Sequence, residues 1–337
     1  MKNFTPMDYA IKKIESAKPS MRYDGSEPFE KWQERAYNKL YELLGLDKFE
    51  KCDLDIEIEY DKIVEDRREI RFTFQSEEGY YAIARMTFPK DMEKPLPLCI
   101  CLQGHSKGMH VSFAEKKYDD EVPGAGDRDF CIRAVKEGFC AVAIDQRGLG
   151  ESGGTVPDPC QGCYRPSMYE MMLGRTTIGT RVWDVSRLID AITERFTEFA
   201  DVENIVCMGN SGGGTATFYA ACMEKRIKAA MPSCAVCTFA KSLAIIWHCS
   251  CNYVPRVTEF FDMGDMAGLI APRKFVQVNG AIDNIFLIDG AKECKEIAKK
   301  LFKAAGAEDN CRLVIGDGGH RFYADDAWPV MHELLNK

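Results

Sequence analysis

The chain has 337 residues, of which 46% are hydrophobic and 28% charged, a composition typical of a globular protein rather than a disordered one. Its 44 basic and 52 acidic residues give a net charge of −8, which disfavours nucleic acids and anionic membrane surfaces as partners. No apolar run is long enough to cross a bilayer, and the first residues lack the apolar core of a secretory signal, so we expect a cytoplasmic protein.

The first quarter of the chain carries helical and then strand-like patterns. Residues 1–50 are predicted to form a helical extension, because apolar side chains between 27 and 44 recur at helical spacing and Gly45 then ends the pattern. Three stretches of alternating polarity follow. They predict half-buried antiparallel strands at one edge of a sheet: 54–60, 69–74 and 81–88.

The rest of the chain alternates between short apolar runs and helix-like stretches. The apolar runs predict buried strands at 96–102, 139–144, 205–208, 229–231, 275–278 and 313–315. The helix-like stretches are 127–137, 179–196, 213–224, 290–305 and 324–335. This order is typical of an α/β protein with a mostly parallel sheet and helices on both faces. Residues 51–337 are therefore expected to form one domain, with irregular insertions at about 152–175 and 233–268.

The sequence contains 15 cysteines, which could form disulfides, bind a metal or be buried in the core. An odd count in a large chain without an export signal disfavours a disulfide framework, so most are expected to be small buried side chains. The ligand spacing leaves structural zinc as a minor alternative, through two C-x-x-C pairs and two neighbouring cysteines: Cys160/Cys163, Cys234/Cys237, Cys249 and Cys251. The main expectation is no metal and no cofactor.

The strongest functional signal is the G-x-S-x-G pentapeptide Gly209-Asn210-Ser211-Gly212-Gly213, placed between an apolar strand and a helix-like stretch. A sharp turn between strand and helix exposes the serine hydroxyl, and neighbours without side chains avoid collisions around it. We therefore predict that Ser211 is a nucleophile. The alternative is a glycine-rich turn that carries a solvent-exposed serine.

A serine nucleophile needs a general base, which follows it in the chain order typical of this motif. Two of the five histidines, His105 and His110, precede Ser211, and His332 lies in the predicted terminal helix. His320 follows the last strand through a glycine-rich loop, which allows its imidazole to reach the serine. His320 is therefore the predicted base, and helix capping is the alternative.

The base in turn needs an acid that orients it. Asp283 follows the penultimate strand at its carboxyl end and is predicted to accept a hydrogen bond from His320. Asp317 lies only three residues before His320 and is expected to hold the loop instead.

The oxyanion of an acyl-transfer intermediate needs backbone N–H donors. Gly212 follows the nucleophile and is the first predicted donor, and His105, in the loop after an early strand, is the second. The nearby segment 145–152 has the glycine spacing of a phosphate-binding loop, but no Walker lysine follows it. We expect this segment to pack beside the site, with Arg147 in an ion pair.

Taken together, these motifs resemble those of the α/β-hydrolases, and most of all those of the bacterial acetyl xylan esterase and dienelactone hydrolase-like branch. The resemblance extends from about residue 25 to the end and is carried by these segments: 103–105, 145–152, 179–184, 209–213, 269–273, 280–283 and 319–323. It implies an α/β-hydrolase fold in which Ser211, Asp283 and His320 form the triad. It also implies metal-independent ester hydrolysis through an acyl-enzyme. Dienelactone hydrolases use a cysteine nucleophile, so the serine argues against that activity.

The function predicted from these observations is a serine carboxylesterase for small neutral esters, with O-acetyl groups on carbohydrates as one candidate substrate. A serine peptidase or amidase of the same fold is the first alternative, although such peptidases usually add repeats that this sequence lacks. The second alternative is a non-catalytic binding protein that keeps the fold. The intact serine, histidine and aspartate count against it.

The two insertions are expected to cover the strand ends and to line the pocket. The predicted substrate-binding residues are aromatic or imidazole side chains: Tyr164, Trp247, His248, Tyr253 and Tyr323. Aromatic rings that carry hydrogen-bonding groups suit a sugar or an aromatic ester as the ligand. For Trp247 the alternative is that the side chain is buried in the core. The expected partner is a small ester molecule, with no nucleic acid and no membrane, and a homo-oligomer is left open.

Overall fold

A nine-stranded sheet forms the centre of the protein, whose computed structural model describes residues 5–153 and 159–337, without the side chains of 159–161. The strands have the spatial order β1-β2-β3-β5-β4-β6-β7-β8-β9. Their bounds are β1 Glu57–Val64, β2 Arg67–Glu77, β3 Tyr80–Pro89, β4 Leu96–Leu102, β5 Cys140–Ile144, β6 Ala200–Asn210, β7 Ile227–Ser233, β8 Lys274–Gly280 and β9 Cys311–Gly316. Strands β4 to β9 are parallel, and the antiparallel β1–β2–β3 unit joins them where β3 pairs with β5.

Helices cover both faces of the sheet. Their bounds are α1 Pro6–Glu15, α2 Phe29–Leu44, α3 Phe130–Lys136, α4 Pro159–Met172, α5 Thr177–Arg195, α6 Gly212–Met223, α7 Val257–Phe260, α8 Met263–Met266, α9 Ile288–Ala304 and α10 Ala324–Leu335. Buried side chains of α2, α5, α6 and α9 belong to one hydrophobic core, and those of α3 and α10 belong to a second. None of the described helices combines the length and apolarity needed to cross a membrane.

The parallel part of the sheet confirms the predicted architecture, because each of the six predicted apolar runs coincides with or overlaps a parallel strand. All five residues of β5 are buried, as are the last five of β4. A strand covered on both faces cannot expose alternate side chains to water, which explains the continuous apolar runs.

Two predictions about local structure are wrong. The first insertion is not irregular throughout, since the helix α4 occupies Pro159–Met172. The first strand begins at Glu57 rather than at residue 54, and its side chains are mostly exposed rather than half-buried. Strand β1 is the outermost strand of the sheet, and the exposure of its side chains shows that no described element buries either of its faces.

The N-terminal segment packs into the main core through α2. Trp32, Ala36 and Leu40 are almost fully buried there, and the indole nitrogen of Trp32 donates a hydrogen bond to the carbonyl of Met21 at 2.7 Å. Gly45 ends the helix in a left-handed conformation with φ of 72°, as glycine readily does.

Candidate active site

Ser211 lies at the turn between β6 and α6, where the sequence analysis predicts a nucleophile elbow. Its backbone has φ of 57° and ψ of −126°, a conformation that is costly for any residue with a side chain. The flanking glycines are sterically required, because a Cβ at Gly209 would lie 2.5 Å from the carbonyl oxygen of Leu102, and one at Gly213 only 2.0 Å from it. The motif therefore forms a sharp turn that presents the serine at the carboxyl end of a central strand.

His320 and Asp283 form a hydrogen-bonded pair. Nδ1 of His320 lies 2.9 Å from Oδ2 of Asp283, and the second carboxylate oxygen accepts the backbone N–H groups of Ile285 at 2.8 Å and Phe286 at 3.2 Å. Burial alone would raise the pKa of Asp283. The hydrogen bond from His320 and the electrostatic attraction between the two side chains outweigh burial and hold the pKa of the carboxyl below its usual value. The carboxylate thus fixes the ring and leaves Nε2 as the nitrogen for proton transfer.

One small cavity joins the serine to this pair. It has a volume of about 200 Å³ and is lined by polar and glycine residues: Gln103, Gly104, His105, Ser106, Gly126, Arg128, Asn210, Ser211, His320 and Arg321. The structure therefore brings the predicted nucleophile and the predicted base to the same cavity, with Asp283 behind the base.

The loop after β4 lies directly on the elbow. A Cβ at Gly104 would come within 2.6 Å of the carbonyl oxygen of Asn210, and one at Gly212 within 2.8 Å of Nδ1 of His105. The two predicted oxyanion donors, His105 and Gly212, are therefore neighbours beside Ser211. Gly212 begins α6, where backbone N–H groups lack partners within the helix and carry partial positive charge.

Tyr323 lies beneath the loop that carries the base. Its side chain is buried, and its hydroxyl donates a hydrogen bond to the carbonyl of Gly319 at 2.6 Å. A Cβ at Gly316 would lie 2.0 Å from the ring, so this glycine leaves the space that the ring fills. The contacts of Tyr323 indicate that it supports the His320 loop, a role that the sequence analysis did not consider.

His248 is buried close to the base. Its Nε2 lies 2.9 Å from Oγ of Ser242, and its ring packs edge-on against Phe286, which stacks on the ring of His320. Burial is the main cause that lowers the pKa of His248 to about 4, and electrostatic repulsion from the neighbouring imidazoles of His320 and His105 adds to it. The imidazole of His248 is therefore neutral at pH 7.

The other predicted substrate-binding aromatics lie at the surface. Trp247 exposes 76% of its area, Tyr164 60% and Tyr253 43%, so the alternative that Trp247 is a core residue is wrong. The hydroxyl of Tyr253 donates to the carbonyl of Leu243 at 3.3 Å. These aromatic rings remain open to solvent and hence to a ligand.

Two aspartates, Asp184 and Asp145, hold the segment after β5 in place. Arg147 forms the predicted ion pair, with Asp184 at 2.7 Å. Asp145 is a residue whose role sequence reasoning missed: its carboxylate accepts the backbone N–H groups of Met109 at 2.7 Å and Glu151 at 2.9 Å. The sequence signal that could have revealed this role is the position of the aspartate, directly after a strand and before a glycine-rich turn.

The cysteines are buried as predicted, since of the fourteen described thiols only that of Cys52 is not buried. Among the described side chains, the minor alternative of a zinc site built from the two C-x-x-C pairs is not found: Cys234 groups with Asp283 and His320, and the thiol of Cys237 donates to the carbonyl of Leu287 at 3.4 Å. The side chain of Cys160 lies outside the described residues. The described thiols of Cys163, Cys249 and Cys251 converge instead on His105.

Comparison with known families identifies the chain as a hydrolase. The family model for acetyl xylan esterase (AXE1) matches residues 29–263, well over half of the sequence. The chain belongs to this family. It is therefore a carboxylic ester hydrolase, and its fold is the α/β-hydrolase fold that the sequence predicts.

Individual relatives of this acetyl xylan esterase family member are distant. A Bacillus subtilis protein named as a hydrolase, YtaP, is 24% identical over 238 residues, which is 69% of this chain and 75% of the relative. A solved Bacteroides fragilis structure assigned by name to the acetyl xylan esterases has a TM-score of 0.76 and 16% identity, over 97% of this chain and 84% of that one. A glucuronoyl esterase from Solibacter usitatus has a TM-score of 0.67 and 14% identity, over 94% of each chain.

Proposed function

We propose that this family member is a serine esterase in which Ser211 attacks the ester, His320 transfers the protons and Asp283 orients His320. The observation that carries the proposal is a cavity that both Ser211 and His320 line, with the hydrogen bond to Asp283 behind the imidazole. The buried carboxylate keeps its charge, so it can stabilise the imidazolium that forms when the serine loses its proton.

The reaction has two halves. In the first, His320 takes the hydroxyl proton as Oγ of Ser211 bonds to the ester carbonyl carbon. The backbone N–H groups of His105 and Gly212 then stabilise the oxyanion. The tetrahedral intermediate collapses when the carbon–oxygen bond to the alcohol breaks, and His320 returns the proton to the departing alcohol. In the second half, water replaces the alcohol, and its addition and the same proton transfers release the acid and restore the serine.

The proposed substrates are short acyl esters on carbohydrates, O-acetyl groups in particular. A cavity of about 200 Å³ suits a short acyl group better than a long chain. Its polar lining, which includes the Arg128 guanidinium, can hydrogen-bond sugar hydroxyls, and exposed Trp247 can stack on a sugar ring. The name of the family, and its structural neighbours named as glucuronoyl esterases, point in the same direction.

A substrate panel tests this proposal against the peptidase and binding-protein alternatives. We expect p-nitrophenyl acetate and acetylated xylo-oligomers to be hydrolysed, p-nitrophenyl esters of long acids to be slower, and aminoacyl anilides to remain intact. Cleavage of the anilides with a higher kcat/KM than the acetyl esters would favour the amidase. Failure to turn over any member of the panel would favour a binding protein.

Trp247→Ala tests the surface contribution to substrate binding. Because the indole is mostly exposed, its loss should leave the melting temperature nearly unchanged while KM for acetylated oligosaccharides rises several-fold, by about 3- to 10-fold for the loss of one stacking contact. KM for p-nitrophenyl acetate should not change, because this ester carries no sugar ring. Tyr81→Ala, which removes an exposed aromatic from β3, is the control. Equal effects on both substrates would contradict the assignment.

A further inference from the structure

A cluster of one imidazole and three thiols lies beside the oxyanion loop. His105 Nε2, and the sulfurs of Cys163, Cys249 and Cys251, all lie within 4.8 Å of one another. Nε2 is 3.2 Å from the sulfur of Cys251 and 3.8 Å from that of Cys163. The four residues come from three separate segments: the loop after β4, the helix α4 and the 249–251 turn, in which Cys249 caps a short helical turn at Ser250–Asn252.

We propose that these four side chains bind one zinc ion, with three thiolates and one imidazole in a tetrahedral site. Zinc prefers this donor set, and bonds of about 2.3 Å to sulfur place the sulfurs of such a site about 3.8 Å apart. The four ligand atoms, which lie within 4.8 Å of one another, therefore need to move only slightly closer together to bind the metal. Four ligand atoms this close together enclose a single ion and leave no room for a multi-iron cluster.

A buried arginine completes the charge balance of the site. Arg181 is almost fully buried, and within the described part of the chain it donates hydrogen bonds to the sulfur of Cys163 at 3.2 Å, that of Cys251 at 3.4 Å and the carbonyl of Arg147 at 2.9 Å. Three thiolates and a zinc ion carry a net charge of −1, which one guanidinium neutralises. N–H groups that donate to ligand sulfurs are typical partners of a metal site.

The site has a structural role next to the reaction rather than a role in bond cleavage. Each protein ligand occupies one corner of the tetrahedron, so no position remains for water or an ester carbonyl. The metal would join α4 and the 249–251 turn to His105, whose ring lies against Gly212. It would thereby fix the backbone N–H of His105. The metal site is independent of the proposed function, whereas this effect on the oxyanion donor depends on it.

The proposed site departs from the sequence-based expectation in two respects. That expectation was no metal, and the zinc alternative relied on the pair Cys234/Cys237, which the structure places elsewhere. The ligands lie at residues 105, 163, 249 and 251, a spacing that no short motif contains. Only the fold brings them together.

Metal analysis of the full-length protein, purified under reducing conditions, tests the site without any use of activity. We expect about one zinc per chain, and cobalt added to the metal-stripped protein should show the intense thiolate-to-cobalt absorption of a tetrahedral site. Zinc should also raise the melting temperature of the stripped protein. Less than about a tenth of an equivalent after zinc addition, or a disulfide among the three thiols in protein kept reduced, would overturn the proposal.

Cys163→Ser and Cys251→Ser should each abolish the stoichiometric zinc and the cobalt spectrum. Cys237→Ser is the matched control, because it removes an equally buried thiol from outside the cluster. Retention of one zinc by both cluster variants would contradict the assignment of ligands. If the stripped wild type keeps its fold, its kcat should fall while KM changes less. An unchanged kcat would limit the metal to stability and leave both the zinc site and the triad in place.

Discussion

Ser211→Ala should lower kcat for acetyl esters by at least about 10⁴-fold, because it removes the atom that is proposed to form the acyl-enzyme. The fold should persist, since alanine keeps the Cβ that the elbow already accommodates and the backbone N–H still reaches the carbonyl of Ser233. The measurement is steady-state hydrolysis of p-nitrophenyl acetate, with the melting temperature as a check on folding.

Two controls test whether the loss of activity in Ser211→Ala is due to the loss of the nucleophile. The double variant Ser211→Ala/His320→Ala should be hardly slower than either single variant, because residues that act as one catalytic unit are not additive. A phosphonate that modifies active serines should label the wild type and not the alanine variant. If the single variant keeps activity within about tenfold of wild type, Ser211 is not the nucleophile.

Asp283→Asn should lower kcat by about 10³- to 10⁴-fold, because an amide in place of the carboxylate favours the wrong tautomer of His320 and stabilises no imidazolium. KM should change little, since Asp283 lies behind the base and is absent from the cavity lining. The hydrogen bond at 2.9 Å between this carboxylate and the ring is the structural basis of the expectation.

Asp317→Asn is the matched control, because it makes the same chemical change on the His320 loop at an exposed position. A surface substitution of this kind typically changes the free energy of unfolding by about 0.5 kcal/mol or less, so the fold around the triad should persist. The kcat of Asp317→Asn should therefore stay within about twofold of wild type. If Asp317→Asn lost as much activity as Asp283→Asn, the assignment of the orienting acid would be wrong.

The sequence predicts the parallel sheet and the nucleophile turn well, for reasons that are local. Strand β4 coincides with its predicted range of 96–102, because a strand buried on both faces must be apolar at nearly every position. The elbow is likewise predictable, since only glycine avoids the clashes found around Ser211. The pair His320 and Asp283 follows from chain order along the strand ends.

Features that depend on tertiary contacts escaped the sequence analysis. Strand β1 has an alternating pattern, but its burial depends on whether another layer packs on it, and none of the described elements buries this outermost strand. The support that Tyr323 gives to the base loop depends on the empty space left by Gly316. The thiol cluster required Cys163 and Cys251, from different insertions, to meet at His105.

The buried thiols of the described chain are shielded from oxidants only while the sheet remains folded. Once the protein opens, thiols from distant segments can be oxidised into disulfides that the native structure cannot accommodate. We therefore expect heating in air to trap opened molecules, so that the survival time of the enzyme should follow its rate of unfolding rather than its equilibrium stability. With a reductant present the same opening is reversible, so shelf life and refolding yield depend on the redox state of the buffer.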